Sequence, residues 1–453
     1  MPYVQNTEAE VKEMLAAVGV SSIEELFTAI PADLRLPKDT ALSGIPATKS
    51  EADVLRKLET FARKTQDTAS RPTFLGAGIE RHFIPTAVDH ISLDGNFITA
   101  YTPYQPEVSQ GTLTAMFQFQ TLLSQITGLP VSNASLYDGA SAAAEAMMVA
   151  YRYCQKTYRK ENRERILVPA SLHPEVCETL KTYADTAGLK IVSIPYEAET
   201  GVTDRVAFDA ALAEGGVCAA ILPYPTFFGT ISDISAMVDA THDAGALAVA
   251  YAHPLALSLL KSPGEIGADI AIGEGQPLGC YQALGGPAFG YFSCSMDLIR
   301  YAPGRIVSET VDAEGKRAFC LALATREQHI RREKATSNIC TNQALMALRA
   351  TIYLAMVGKM GFIELGEQIA SNAHYAAQAF KDAGCNLRFG DQPFFNEFVV
   401  DVPAGFEDKA RAAGMVPGLD LGRFFPELKG AMLVCVGELT TKDEIDQFVA
   451  LTK

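Results

Sequence analysis

The stretch Ala268–Cys280 reads ADIAIGEGQPLGC, an apolar segment that runs into a polar, glycine-rich turn. Residues 270–272 predict a buried strand, and the residues that follow predict a turn at its end. Ligands of α/β proteins bind at such strand ends. The turn contains no lysine, because Lys261, the only lysine between Lys190 and Lys316, precedes the strand.

The same alternation of apolar strands and helical segments extends over residues 165–292. The candidate strands are Ile166–Val168, Lys190–Ile194, Cys218–Leu222, Ala246–Ala250, Ile270–Ile272 and Phe289–Ser293. Helical segments follow several of them. This order predicts an α/β fold with a large, mainly parallel sheet that is covered by helices on both faces.

Polar side chains at the predicted strand ends are candidates for a pocket. They are Ser135 and Ser141 in the loop before an alanine-rich helix, His173, His253 and Gln276. A small-residue loop that leads into a helix can bind phosphate through its backbone N–H groups. A simple helix cap is the more frequent outcome for such a loop, and a structural role is the more frequent outcome for each histidine.

Composition restricts the possible partners. The chain has 453 residues and a formal net charge of −15, which argues against nucleic acid and anionic membrane as main partners. Its nine cysteines include no C-x-x-C pair, so we expect a reduced cytoplasmic chain without a metal site. The N-terminus lacks a signal-peptide pattern, and the longest apolar run, Ala246–Leu260, is interrupted by His253 and Pro254.

Three regions are predicted along the chain. Residues 1–70 read as a helical N-terminal arm, since short capped helices rarely stand alone. Residues 71–310 form the large α/β domain. Residues 311–453 form a smaller C-terminal α/β domain, with strand candidates Phe395–Val402 and Ala431–Val436.

A proline-rich loop precedes the first long helix of the large domain. Residues 100–111 read AYTPYQPEVSQG and present the polar side chains Tyr101, Thr102, Tyr104 and Gln105. Prolines hold such a backbone extended. The segment is either a surface loop fixed by proline or a preorganised loop that contacts a ligand or a partner.

A second distinctive segment, Thr325–Gln343, reads TREQHIRREKATSNICTNQ and is a local basic cluster in an acidic chain. It is either a solvated helix face or a site that organises an anionic ligand or a subunit interface. The candidate residues for an interface are Arg326, His329, Arg331, Arg332, Lys334, Thr336, Ser337 and Asn338.

Together with GEGQPLG at Gly273–Gly279, these two segments resemble the glycine cleavage system P-protein, and the resemblance runs nearly end to end. It implies the fold-type-I fold of pyridoxal-phosphate enzymes, similar to aspartate aminotransferase. In that family glycine is decarboxylated with pyridoxal phosphate as electron sink, and the aminomethyl group passes to the lipoyl arm of the H-protein. The length resembles the α subunit, or subunit 1, of the two-chain form.

Two groups that a complete cofactor site needs are missing from the sequence, and their absence is consistent with that subunit. The turn around Gln276 and Pro277 lacks the Schiff-base lysine, so no catalytic residue is assigned to this chain. The strand that ends near His253 also lacks the acid that would pair with the pyridinium nitrogen. Asp243 and Asp269, the nearest carboxylates, precede their strands.

The resemblance implies that pyridoxal phosphate is held covalently by the partner β subunit and not by this chain. It also implies the α2β2 assembly of the family. The Tyr101–Gln105 loop is then expected to reach the partner's cofactor, and the Arg326–Asn338 segment to shape the interface or the lipoyl entrance. The T- and L-proteins complete the implied system. Two alternatives stay open: a self-sufficient pyridoxal-phosphate aminotransferase or decarboxylase, and a purely structural scaffold subunit.

Overall fold

The computed structural model describes residues 6–36, 49–65, 67–68, 70–98, 101–390 and 392–453. Two compact units divide the chain, Met1–Gln66 and Asp67–Lys453. The first unit contains helices α1, Glu8–Val18, and α2, Glu51–Ala62. Thr7 and Glu10 form the predicted capping box of α1. Parts of the predicted arm, residues 1–5, 37–48, 66 and 69, lie outside the described residues.

Among the described residues, a seven-stranded sheet dominates the second unit, with strand order β1-β7-β6-β5-β4-β2-β3. Pairing is parallel from β3 through β6, and β7 runs antiparallel to both of its neighbours. The strands are β1, Val131–Ser132; β2, Arg165–Pro169; β3, Lys190–Ile194; β4, Val217–Tyr224; β5, Leu247–Ala252; β6, Ile270–Glu274; and β7, Gly290–Cys294.

Helices cover both faces of this sheet, which explains why its central strands are apolar throughout. Every residue of β4 is buried, as expected for a strand packed on both faces. The helices of this part are α3, Thr86–Ser92; α4, Gln110–Thr127; α5, Gly139–Thr157; α6, Pro174–Ala187; α7, Arg205–Ala213; and α8, Ser235–Asp243. The alanines of α5 let this helix approach the sheet closely, and eleven of its residues are buried.

A hairpin and a long helix follow the sheet. Strands β8, Ile306–Val311, and β9, Arg317–Ala322, pair in an antiparallel hairpin that packs against α4 through Val307 and Phe319. The domain boundary predicted after residue 310 therefore falls within β8. A short helix α9, Gln328–Arg331, lies in the basic segment.

Helix α10, Ala344–Asp382, is interrupted at Gly358, whose φ of 63° breaks the helical geometry. By length and composition it is the one helix in the described part of the chain that could cross a membrane. Its buried residues, however, pack in two hydrophobic clusters, one with α3 and α4 and one with the C-terminal strands. The core helix of a folded domain can have the same length and apolar composition as a membrane-spanning helix.

The C-terminal region is a small α/β unit. Its described strands form an antiparallel sheet of order β10-β12-β11, with β10 at Glu397–Asp401, β11 at Leu419–Asp420 and β12 at Ala431–Cys435. Helices α11, Phe406–Ala412, and α12, Lys442–Ala450, accompany it. Phe380, Phe398, Phe406 and Phe448 form its aromatic core, and Phe74 stacks on Phe448 with ring centroids 3.8 Å apart.

The predicted α/β class and the six predicted strands of the large sheet are confirmed, with ends that shift by a few residues. The two-residue strand β1 and the β8–β9 hairpin were missed. β1 is too short to show an apolar period, and β9 begins with the charged Arg317 directly after Lys316, so its few apolar residues show no clear strand pattern.

Replacing Phe380 with alanine is expected to lower the free energy of unfolding by about 3–5 kcal/mol, since a fully buried ring leaves a cavity. Val206→Ala is the control, because this side chain on α7 is 80% exposed and its loss should change little. Urea denaturation followed by circular dichroism measures both. Equal midpoints for the two variants would contradict the described C-terminal core.

Candidate functional site

A small cavity lies where β4, β5 and β6 end, at the carboxyl edge of the large sheet. Its volume is about 80 Å³, well below the roughly 300–1,000 Å³ of pockets for cofactor-sized ligands. Residues from the N-terminal stretch of the large domain, from the sheet and from β10 line it. The polar lining residues are Glu80, His173, Thr226, Tyr251, His253, Glu274, Asn396 and Glu397.

Glu274, the last residue of β6, points at the first turn of α5. Its Oε2 accepts a hydrogen bond from the backbone N–H of Gly139 at 2.9 Å, and its Oε1 accepts one from the N–H of Gln276 at 3.2 Å. Burial raises the pKa of this carboxyl to about 7, and the negative charge of Asp138 adds to the shift. The helix N-terminus is thus already occupied by an acidic side chain.

Glu80 is a buried carboxylate that bridges two histidines. Its Oε1 lies 2.9 Å from Nε2 of His253, and its Oε2 lies 3.1 Å from Nε2 of His82. Burial alone would raise the pKa of Glu80, but the contacts with His253 and His82 outweigh burial and lower it. The side chain of Glu80 is only 3% exposed, so the network excludes solvent.

The network extends into the C-terminal unit through Glu438 and Glu397. Nδ1 of His82 lies 3.0 Å from Oε2 of Glu438. Burial opposes protonation of His82, but its hydrogen bonds to Glu438 and Glu80 prevail and raise its pKa to about 10. Glu397 accepts the N–H of Ala77 at 2.6 Å, and burial, together with the charge of Glu80, raises its pKa to about 8.

Gln276 takes the place where the sequence analysis looked for a lysine, and it points away from the cavity. Its side chain accepts from the N–H of Glu80 at 2.9 Å and donates to the carbonyls of Glu80, at 2.9 Å, and Cys280, at 2.8 Å. Among the described residues that line the cavity there is no lysine. Lys261 is exposed on the loop before β6.

The end of β5 carries Tyr251 and His253 and no acid within the described cavity lining. Asp269, the nearest carboxylate before β6, lies at the opposite edge of the sheet. There its Oδ2 accepts from the N–H of Ala248 at 2.8 Å and contacts Nε2 of His242 at 2.8 Å. Among the described residues, the end of β5 therefore places no carboxylate in this cavity to pair with a ring nitrogen.

Pyridoxal phosphate does not fit this cavity. The lining offers no Schiff-base lysine, the helix N-terminus that could receive a phosphate holds Glu274, and the volume is far too small. Of the three acidic side chains that face the cavity, Glu80 is ionised, whereas the raised pKa values leave Glu274 and Glu397 partly protonated near neutral pH, and none of the three offers a positive charge to an anionic cofactor.

The other predicted pocket residues have structural partners. Oγ of Ser135 accepts the N–H of Gln343 at 3.1 Å, and Ser141 completes the capping box of α5 with Asp138. His173 is the N-cap of α6, and its Nε2 lies 2.8 Å from the carbonyl of Ala77. His253 and His173 line the cavity, whereas Ser135 and Ser141 are buried and are not among its lining residues.

The residues of the Tyr101–Gln105 loop do not line this cavity. Tyr101 and Tyr104 are 72% and 55% exposed, and Gln105 is exposed as well. Thr102 is half-buried. Thr99 and Ala100, which belong to the same motif, lie outside the described residues.

The basic segment divides into buried and exposed residues. Arg326 is 8% exposed and donates to the backbone carbonyls of Gly304, at 3.0 Å, and Leu323, at 3.2 Å, so its guanidinium stabilises the segment from within. Ser337 is buried, and Thr336 is half-buried. The exposed members are His329, Arg331, Arg332, Lys334 and Asn338.

The structure brings the two motifs together around Arg305, which the sequence analysis did not single out. The guanidinium of Arg305 lies 5.1 Å from the ring centroid of Tyr104 and 3.1 Å from Oε2 of Glu327. His329 packs edge-on against Tyr104, with centroids 5.7 Å apart. We call Tyr101, Tyr104, Arg305 and His329 the aromatic–basic face. Nearby, an apolar groove of about 280 Å³ is lined by Ile98, Tyr101, Met116 and Leu345, among others.

Within the described ranges, no group of three or more His, Cys, Asp or Glu side chains is arranged to hold a metal ion. The described cysteines are all free thiols.

The raised pKa values of Glu274 and Glu397 predict a stability that falls with rising pH. In the unfolded chain both carboxyls titrate near about 4.3, so the folded protein binds more protons between that pH and the folded values of about 7 and about 8. Their stabilising contribution is complete below the unfolded pKa and is lost as pH rises through the folded values. Thermal midpoints from about pH 6 to about pH 9 should fall less steeply for Glu397→Gln. Parallel profiles for wild type and variant would contradict a protonated Glu397.

Comparisons with known proteins agree along the whole chain. The family profile described as "Glycine cleavage system P-protein" matches residues 1–452. A protein of Moorella thermoacetica named probable glycine dehydrogenase (decarboxylating) subunit 1 is 46% identical over 453 residues, covering 99% of this chain and 98% of the relative. The crystal structure of a glycine decarboxylase (P-protein) of the glycine cleavage system, in inhibitor-bound form, superposes with a TM-score of 0.87 at 37% identity, covering 100% of this chain and 99% of that chain.

The fold itself is also found in more distant enzymes. A sphingosine-1-phosphate lyase of Burkholderia pseudomallei superposes with a TM-score of 0.66 at 13% identity, covering 92% of both chains. At that identity the likeness concerns the fold alone, which is the expected fold-type-I fold of pyridoxal-phosphate enzymes. With a full-length family match and close relatives of the same length, this chain belongs to the glycine cleavage system P-protein family.

Proposed function

We propose that this chain is subunit 1 of a two-chain glycine dehydrogenase (decarboxylating). With subunit 2 it decarboxylates glycine and transfers the aminomethyl group to the lipoyl arm of the H-protein. Family membership and the names of its full-length relatives support this activity. Pyridoxal phosphate, which serves as electron sink in this chemistry, is bound covalently by subunit 2.

One observation supports the proposal that subunit 2, and not this chain, binds the cofactor. The carboxyl edge of the sheet in this chain is closed by Glu80, Glu274 and Glu397, and its cavity of about 80 Å³ has no lysine among the described lining residues. A chain of this family with such a site contributes to catalysis through a surface, because its own cavity cannot hold the cofactor. The partner subunit is therefore essential for activity.

The aromatic–basic face is the surface that we assign to the partner's active site. Arg305 is 2% exposed and is held between Glu327 and the ring of Tyr104, so the exposed tyrosine has a fixed support. His329 packs on the same ring. Rigidly held hydroxyl and imidazole groups can orient a bound substrate without taking part in the Schiff base.

The exposed basic residues Arg331, Arg332 and Lys334 follow this face directly in the chain. We assign them, with Asn338, to the interface or to the entrance for the lipoyl arm. Arg326, Thr336 and Ser337 are assigned to the support of this segment, since they lie at least partly beneath it. Positive charge on an otherwise acidic chain favours association with an acidic partner surface.

The proposed assembly is an α2β2 heterotetramer that acts in the cytoplasm with the H-, T- and L-proteins. The division into an arm of residues 1–70, a large domain of residues 71–310 and a C-terminal domain of residues 311–453 remains part of this proposal.

Reconstitution tests the division of labour. This chain alone is expected to show no exchange of the glycine carboxyl group with bicarbonate, because it holds no cofactor. Mixing it with subunit 2, pyridoxal phosphate and lipoylated H-protein should restore exchange, measured with labelled bicarbonate. Exchange by this chain alone would refute the proposal and favour a self-sufficient enzyme.

Replacing Tyr104 with alanine is expected to lower exchange by the assembled enzyme about 10- to 100-fold, since a positioned side chain is lost from the partner's site. Tyr375→Ala is the matched control. This tyrosine is 38% exposed on α10 and bonds Asp446, far along the chain from the aromatic–basic face. Gel filtration should show normal assembly for both variants. Full activity of the Tyr104 variant would favour a purely structural scaffold.

A further inference from the structure

The N-terminus of α5 lies directly behind Glu274, which lines the cavity, and a helix N-terminus favours an anion. This helix has 19 residues, and the backbone N–H of Gly139, its first residue, points to Glu274 at the end of β6. Helix and strand are in direct contact here: a Cβ on Gly139 would lie 2.7 Å from the backbone N of Glu274 and 2.7 Å from Oη of Tyr251. Only glycine permits this approach.

The anion at this position belongs to the chain itself. Oε2 of Glu274 accepts the N–H of Gly139 at 2.9 Å, across 135 residues of sequence. The helix does not need Glu274 as a cap, because Asp138 already accepts the N–H of Ser141 at 2.7 Å and Ser141 returns the bond at 3.1 Å. Glu274 therefore accepts a hydrogen bond from the N–H of Gly139, a donor that the capping box of Asp138 and Ser141 does not use.

We infer that Glu274 is a built-in substitute for the phosphate group of a cofactor, and that its side chain keeps phosphate-bearing ligands out of this chain. The inference deepens and rests on the proposed function, in which subunit 2 alone binds pyridoxal phosphate. It assigns the exclusion to one residue rather than to the missing lysine. Restoring a lysine at position 276 would leave the anion position filled.

The geometry explains why one carboxylate is enough to exclude phosphate from the N-terminus of α5. A phosphate monoester at the N-terminus of α5 would need the N–H of Gly139 and the space beside it, and both are taken by Glu274. Glu80 and Glu397 line the same cavity. Neither bonds to the helix: Glu80 contacts His82 and His253, and Glu397 bonds the N–H of Ala77.

The test is a titration of the full-length chain with inorganic phosphate at about pH 8, in which calorimetry measures the heat of binding. That pH lies above the Glu274 pKa of about 7, so the carboxylate is ionised. Wild type should give no saturable heat. Glu274→Ala should bind phosphate saturably, because the N–H of Gly139 and the space beside it become available. Chloride at matched ionic strength serves as the reference.

Two matched variants separate occupancy from general loss of charge. Glu397→Ala removes a carboxylate from the same cavity but leaves α5 occupied, so it should not bind phosphate. Glu274→Gln keeps the shape of the side chain and an oxygen for the N–H of Gly139, and it should also exclude phosphate. If Glu274→Ala does not fold in chloride, the same reasoning predicts that phosphate restores its refolding yield.

Phosphate binding by wild type, by Glu397→Ala or by Glu274→Gln would overturn the inference. So would a Glu274→Ala variant that neither binds phosphate nor is rescued by it. These outcomes are independent of subunit 2. A failed reconstitution of exchange would refute the proposed function while the phosphate titration still reports on Glu274.

Discussion

The buried carboxylate of Glu80 is the interaction on which the site depends. It joins the stretch before α3 to the end of β5 through His253, and to the C-terminal unit through His82 and Glu438. Removing one partner of a buried ion pair typically costs about 3–5 kcal/mol, because an uncompensated charge remains. The backbone of Glu80 is fixed as well, by two hydrogen bonds to Gln276. One residue thus connects the sheet, the preceding segment and the C-terminal unit around the small cavity.

This network changes what the fold can do at its carboxyl edge. In a mainly parallel sheet this edge is the usual position for a ligand. Here the N–H of Gly139 at α5 is satisfied by Glu274, and the N–H of Glu80 is satisfied by Gln276. The exposed side chains of Tyr101, Tyr104 and His329 do not line this cavity, and they form a face that the buried Arg305 supports from beneath. A site that is satisfied internally stabilises the subunit, and a face that remains exposed is available to a partner.

The large sheet could be predicted from sequence because its strands are apolar on both faces and separated by helices of ordinary length. The absence of a lysine after β6 was equally visible. The Glu80 network was not, because its members come from positions 80, 82, 253 and 438, and His82 and Glu438 lie 356 residues apart. No periodic pattern connects such positions. Arg305 was missed for the same reason, since its importance follows from contacts with Tyr104 and Glu327 that only the folded chain creates.

The central claim is that this chain completes a pyridoxal-phosphate enzyme without holding the cofactor. Borohydride reduction of the assembled enzyme, followed by peptide mapping with mass spectrometry, tests it directly, because reduction fixes the cofactor on the lysine that carries it. The account predicts a pyridoxyl group on a lysine of subunit 2 and none on this chain. A pyridoxyl group on Lys261, or on any other lysine of this chain at comparable yield, would contradict it.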